Sequence, residues 1–494
     1  MKIFLSMISI AFIVASCDTS SELNSQNQKL EDFLTEVEEE NKKDGPIISS
    51  ASWISSNFIT FDSQKVIADY GTRYTLNSLE KARKASSFDN IKTSPENNRM
   101  LKILKSSFVM PPPLDESLAR ELSEITTSLE AMYGSGEYCY EDGHCFDLEA
   151  FEAIIDNSRN PKQLLSAWRG WHEIGKPMKP MYLRMVEIGN KGSEDLGYDG
   201  LSDLWFSKYD MPADEFLNET DRVWDEVKPL YDALHCHVRA KLNDHYGDEV
   251  IPKSGPLPVH MLGNMWGQSW SNIYDLVYTE EANSNSIDVT KIIEDKNLSE
   301  IEMVEYAEDF FLSIGFEPLP ETFWERSLFV KPSDRSVVCH ASAWNLDSVE
   351  NDLRIKMCIE KNEEDFITIH HELGHIFYYQ AYNHLPTLFQ GGANDGFHEA
   401  FGDLLTLSIT PDYLNQIGFI TKDEAKLAKE DPIGLLMKQA LEGVVVVPWA
   451  LMLDKWRSAV FNGEIEANNL NSSWWQLREQ YQGISTYENR NEEY

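Results

Sequence analysis

Apolar residues recur at three- and four-residue spacing along most of the chain, and that period predicts helix over 114–133, 146–155, 161–191, 212–245 and 301–313. Pro111-Pro112-Pro113 is a rigid break before the first of these, and Asp156-Asn157 and Asp199-Gly200 punctuate later ones as helix ends or turns. Two-residue alternation is rare. It predicts strand only at 336–339 and at 353–359, where Leu353, Ile355 and Met357 alternate. No internal repeat interrupts the pattern, and no linker divides it after residue 50. A mainly α, single large domain with very little β-strand is expected.

The N-terminus follows another pattern. Met1-Lys2 precede an apolar run over 3–14, too short to span a bilayer as a mature helix, which predicts a secretory signal over 1–16. The run ends in Val14-Ala15-Ser16-Cys17, which resembles the lipobox of bacterial lipoproteins, whose cysteine becomes the lipid-bearing N-terminus. A plain cleaved signal with an incidental Cys17 is the alternative. No later stretch reads as apolar for long enough to cross a membrane. The chain from Asp18 to about Asp44 is rich in Ser, Asn, Gln, Glu and Lys, so a polar tether over 17–30 is expected ahead of a domain over 31–494. Export to a bacterial cell envelope, periplasmic or on the outer surface and held by lipid at Cys17, follows from this reading.

Composition then narrows the partners. With 42% hydrophobic and 25% charged residues the chain is globular in class. Its 43 Lys and Arg against 82 Asp and Glu leave a net charge of −39, which repels phosphate backbones, so no nucleic-acid partner is expected. In an oxidising compartment the five cysteines beyond Cys17 suit two pairs and one leftover. Cys139 and Cys145 bracket a short turn, which makes a local bridge easy, and Cys339 with Cys358 would close a longer loop. Cys236 lies among Leu230, Leu234, Val238 and Leu242 and is expected as a buried free thiol. Five reduced core cysteines is the alternative.

Candidate chemistry concentrates in residues 366–403. His371-Glu372-Leu373-Gly374-His375 places two imidazoles one turn apart on one helix face, where both reach a single zinc ion. Glu372 falls beside that face, near enough to polarise a water without being a ligand. In Gly392-Ala393-Asn394-Asp395-Gly396-Phe397-His398-Glu399-Ala400, Glu399 offers a third ligand from a second helix, and Asp403, one turn on, suits the free N–H of a ligating histidine. Two exposed histidines salt-bridged to carboxylates is the bland alternative. His370 precedes the motif on another face and reads as a packing or supporting residue.

Longer strings carry a resemblance. Met265-Trp266-Gly267-Gln268-Ser269-Trp270-Ser271-Asn272-Ile273-Tyr274-Asp275, Val337-Val338-Cys339-His340-Ala341-Ser342-Ala343-Trp344 and Ser473-Trp474-Trp475-Gln476-Leu477-Arg478, together with the zinc motif, make the chain similar to the angiotensin-converting enzyme family of zinc peptidyl-dipeptidases from about residue 30 to the end. The resemblance implies a helical gluzincin with a deep central cleft, and bridges Cys139–Cys145 and Cys339–Cys358. It implies zinc, one ion per chain, on His371, His375 and Glu399, with Glu372 as general base. It further implies that His340 and Ala341 belong to a short strand holding the substrate backbone, and that Gln268 binds the substrate's C-terminal carboxylate. From the residues alone, Gln268 beside Trp266 and Trp270 could equally cap a helix end.

Departures qualify that picture. The family's domain continues for about a hundred residues beyond the Trp-Trp segment, with His and Tyr donors to the tetrahedral intermediate that are not seen before Tyr494, so a truncated record is expected. Missing oxyanion donors cost ~10²–10³ each in turnover. Two arginines of chloride-activated members fall at Phe206 and Ala459, so chloride is not expected at the family's first site. The expected function is release of C-terminal dipeptides from oligopeptides. A carboxypeptidase or endopeptidase of the same zinc class, or a peptide-binding pseudo-enzyme of low activity, is the alternative.

Overall fold

The computed structural model describes residues 2–494 except 135, 279–286, 336, 338, 395, 431, 487–489, 491 and 493–494; within helices the side chains of 2–23, 64, 68, 72, 127, 130, 131, 134 and 149 also lie outside the described residues. The expected lipid-bearing side chain of Cys17 is among these. Helix dominates, and the described strands form three two-stranded pairs. The chain divides into two compact units, Met1–Phe108 with Ile287–Ala425, and Val109–Ser286 with Lys426–Tyr494.

The first unit is built around the helix Glu363–Tyr382. Asn362 caps it by accepting from the Asp365 N–H at 2.7 Å, and Glu363, Glu364 and Asp365 place negative charge on its first turn. Phe366, Ile369, Leu373, Ile376 and Phe377, at three- and four-residue spacing, are fully buried against Met303, Val304, Ala307 and Phe311 of the helix Glu300–Ser313 and against Leu353 and Ile355. The long N-terminal helix, Lys2–Asn57, buries Leu30, Phe33, Leu34 and Val37 against Leu101 and Leu104. The polar composition of 31–44 is therefore one face of a packed amphipathic helix.

In the second unit the helix Ala213–Tyr246 buries Trp224, Tyr231, Leu234, Val238 and Leu242, with Trp168 and Trp270 in the same core. That stripe excludes two expected positions. Leu230 is exposed, and Cys236 is free but exposed, because it lies two residues from Leu234 and Val238 and so nearly opposite them around the helix. Phe206, expected to be apolar in place of an anion site, is buried and packs on Phe216, whereas Ala459 lies half-buried on the helix Val445–Phe461.

Three sequence expectations change. The single helix over 161–191 is two, Pro161–Gly175 and Lys179–Asp195, joined by a 3-10 turn at Lys176–Met178, since Pro177 and Pro180 supply no N–H to continue it. The strand expected at 336–339 falls instead at Ser342–Asp347, antiparallel to Asp352–Lys356; Val337 and Cys339 carry no strand, and Ser336 and Val338 lie outside the described residues. Ser342–Asp347 is half-buried on nearly every residue, so it shows no alternation. Finally, Ile433–Phe461 is long and apolar enough to cross a membrane by length and composition. Leu441, Val445 and Leu451 within it are buried in the core of the second unit, whereas Ile433, Leu435, Leu436 and Val446 are exposed.

Candidate metal centre

Two helices of the first unit form the site. The turn before Phe397–Thr406 brings Glu399 into that helix's first turn, and the helix lies directly on Glu363–Tyr382. Glycines make the approach possible. A Cβ on Gly374 would stand 3.0 Å from the Gly402 Cα, and one on Gly402 would stand 2.8 Å from the His371 Nδ1.

At this crossing His371 Nε2 lies 3.3 Å from one Glu399 carboxylate oxygen, and His375 Nε2 lies 3.8 Å from the other. One donor atom from each residue falls within 4.8 Å of the others. Donors about 2.0–2.1 Å from one tetrahedral zinc lie about 3.3–3.5 Å apart, so two imidazoles and a carboxylate in this spacing fit a zinc ion after small side-chain adjustment. His371 Nδ1 is held by Asp403 Oδ1 at 3.0 Å. On His375, Nδ1 lies 3.3 Å from Nδ1 of His398, whose Nε2 lies 2.9 Å from the Tyr382 hydroxyl. Burial, then the nearby His371, disfavours protonation of His375, while Glu399 and Asp403 oppose that effect. Burial holds His398 down to about 4.

Glu372 is buried, and its Oε2 makes no hydrogen bond among the described residues. Desolvation pushes its carboxyl up to about 7; His371, His340 and Lys356 pull it down and Glu399 pushes it further up. An unpartnered buried carboxylate oxygen beside an imidazole pair is suited to accept a proton from a small molecule. The segment carrying His340 and Ala341 is pinned nearby: Lys356 Nζ donates to the His340 carbonyl at 2.7 Å, and Cys339 is bridged to Cys358. His340 and Ala341 themselves precede the strand. From the metal helix, the Tyr379 hydroxyl donates to the Ala343 carbonyl at 3.4 Å.

His370 faces away from the donors. It is fully buried, its ring nitrogens lie 2.8 Å from the Phe366 carbonyl and 2.9 Å from the Tyr413 hydroxyl, and it packs the core. Gln268 belongs to the second unit, where its N–H donates to Asn264 Oδ1 at 3.3 Å; the following 3-10 turn, Ser271–Ile273, has no side-chain cap. Cys139 and Cys145 are bridged in an exposed hairpin of that unit. His398, Tyr382 and Lys356 are further residues of the site that no motif in the sequence marks. His398 stands directly before Glu399, but nothing in its spacing marks a partner for His375.

A mainly helical scaffold that offers two histidines from one helix and a glutamate from the next has the donor arrangement of the glutamate-type zinc peptidases. A family model described as angiotensin-converting enzyme (Peptidase_M2) matches residues 24–494. The angiotensin-converting enzyme of Bos taurus is 37% identical over 441 residues, covering 88% of this chain and 33% of that protein. That of Haematobia irritans exigua is 33% identical over 466 residues, 92% of this chain and 74% of that protein. For Theromyzon tessulatum the values are 37% over 375 residues, 74% and 59%. The chain belongs to the angiotensin-converting enzyme family, and it spans about a third of the length of the mammalian relatives it matches.

Proposed function

We propose that this protein is a zinc metallopeptidase that releases dipeptides from the C-termini of oligopeptides. The observation that carries the reading is the meeting of His371, His375 and Glu399 beside the buried, unpartnered oxygen of Glu372. Zinc held by those three residues would act as a Lewis acid on the scissile carbonyl and lower the pKa of water. Glu372 takes the proton from the attacking water and returns it to the leaving amine. Asp403 keeps His371 oriented through its Nδ1–H. His340 and Ala341 hold the substrate backbone, and Gln268 donates to the free C-terminal carboxylate. An apolar ring at Phe206 offers nothing to an anion, so chloride is not required there. We further propose export and a lipid anchor on Cys17, supported by the apolar run that ends in Val14-Ala15-Ser16-Cys17.

The test is product analysis. Purified protein with zinc is incubated with a peptide in free-acid and C-terminal amide forms, and products are weighed by mass spectrometry. Successive loss of residue pairs from the free acid, with the amide cut far more slowly, is expected. Loss of single residues, or internal cuts in both peptides, would replace this reading with a carboxypeptidase or endopeptidase. Radiolabelled fatty acid is expected on the wild type and absent from Cys17→Ser.

A further inference from the structure

An imidazole that binds metal through one nitrogen must have its other nitrogen defined, because the remaining proton decides which lone pair is available. The two histidines at the donor cluster meet this requirement differently. His371 turns Nδ1 to a carboxylate, Asp403, at 3.0 Å. His375 turns Nε2 toward Glu399 and Nδ1 toward another imidazole, His398 Nδ1, at 3.3 Å.

Two nitrogen lone pairs do not face each other at that distance, so one of the two Nδ1 atoms carries a proton. With His375 Nε2 left as the lone pair in the donor cluster, the proton sits on His375 Nδ1 and is donated to His398 Nδ1. The proton of neutral His398 is then on Nε2, which donates to the Tyr382 hydroxyl at 2.9 Å. Both tautomers follow from one chain of contacts. The His398 ring is also clamped, with ring centroids 4.5 Å from Tyr378, 5.0 Å from Tyr379 and 5.7 Å from Tyr382.

We propose that His398 is a positioning residue that holds His375 in the Nδ1–H tautomer and so presents its Nε2 lone pair to the metal. The inference rests on the zinc reading of His371, His375 and Glu399. It gives the two ligands unequal support, since Asp403 adds a negative charge behind one imidazole and His398 adds none behind the other.

The experiment measures metal binding by the full chain, with zinc affinity read by competition against a chromophoric chelator and geometry read from the visible absorption of the cobalt(II)-substituted protein. His398→Phe keeps a ring and removes the acceptor. It is expected to weaken zinc binding 10–100-fold and to alter the cobalt spectrum. His398→Asn restores an acceptor close to the place of Nδ1 and is expected to return affinity to within about threefold of wild type. Tyr382→Phe removes the group that fixes the His398 proton and is expected to weaken zinc binding by a smaller factor. Wild-type affinity and an unchanged cobalt spectrum in His398→Phe would overturn the inference. So would equal losses in His398→Phe and His398→Asn, which would reduce His398 to packing; if the Phe variant folds poorly, wild-type zinc affinity in Tyr382→Phe overturns the inference instead. A wild-type chain that binds neither metal would instead overturn the zinc reading itself.

Discussion

Glu372 illustrates how one residue is prepared by its surroundings. Its carboxyl is buried, lies near His371, His340 and Lys356, and leaves one oxygen without a partner among the described residues. Glu372→Gln keeps the shape and removes the base. Turnover is expected to fall about 10²–10⁴-fold, with zinc content unchanged by metal analysis; loss of zinc along with activity would contradict a role confined to proton transfer. Gly402 is the complementary case. An added methyl at 2.8 Å from His371 Nδ1 must push that ring away from Asp403, so Gly402→Ala is expected to weaken zinc binding about tenfold or more at near-normal helix content. His371, Glu372 and His375 were legible in the sequence through helical spacing on one helix, and Glu399 and Asp403 through their one-turn spacing on a second, whereas the crossing of the two helices is a tertiary contact that spacing does not give. His398 and Lys356 were not, because their roles lie in contacts across space with His375 and with the His340 carbonyl.

Elements show the same division between local and distant causes. Helices at 114–133, 146–155, 212–245 and 301–313 were legible to within a few residues, since period and caps are local. Ser342–Asp347 was not, since its conformation comes from pairing with Asp352–Lys356. That ribbon is tied at its base by Cys339–Cys358, which closes a loop of 19 residues. Replacing both cysteines with serine is expected to cost about 3 kcal/mol, read as a lower thermal midpoint, and to raise KM more than it lowers kcat by loosening His340 and Ala341. A buried histidine in the second unit supplies a pH dependence. His260, in the 3-10 turn Val259–Met261, is held down to about 4 by burial and then by the Arg169 charge. Folded chains keep it neutral while unfolded chains protonate below about 6.5, so its contribution is complete at neutral pH and is lost as pH falls from about 6.5 toward 4. Between pH 7.5 and pH 5 the wild type is expected to lose about 2 kcal/mol more than His260→Phe in urea melts. Equal losses would show that the ring gains its proton without cost.

At the scale of the whole molecule the dominant quantity is charge. A net −39 was legible from composition alone, whereas the division into two compact units was not, because each unit joins segments far apart in sequence. The charge bears on which peptides arrive fastest. A field of this sign raises the local concentration of cationic peptides and lowers that of anionic ones, and both effects shrink as the screening length falls from about 30 Å at 0.01 M to about 8 Å at 0.15 M salt. The proposed reaction fixes one substrate charge, the C-terminal carboxylate, so the comparison needs peptides alike at the cleaved end and different only upstream. With two added lysines, kcat/KM is expected to fall several-fold as sodium acetate rises over that range; with two added glutamates it is expected to rise. Acetate serves because it varies ionic strength without introducing chloride. Parallel salt curves for the two peptides would mean that charges close to the bound peptide, and not the summed field of the chain, set its rate of capture.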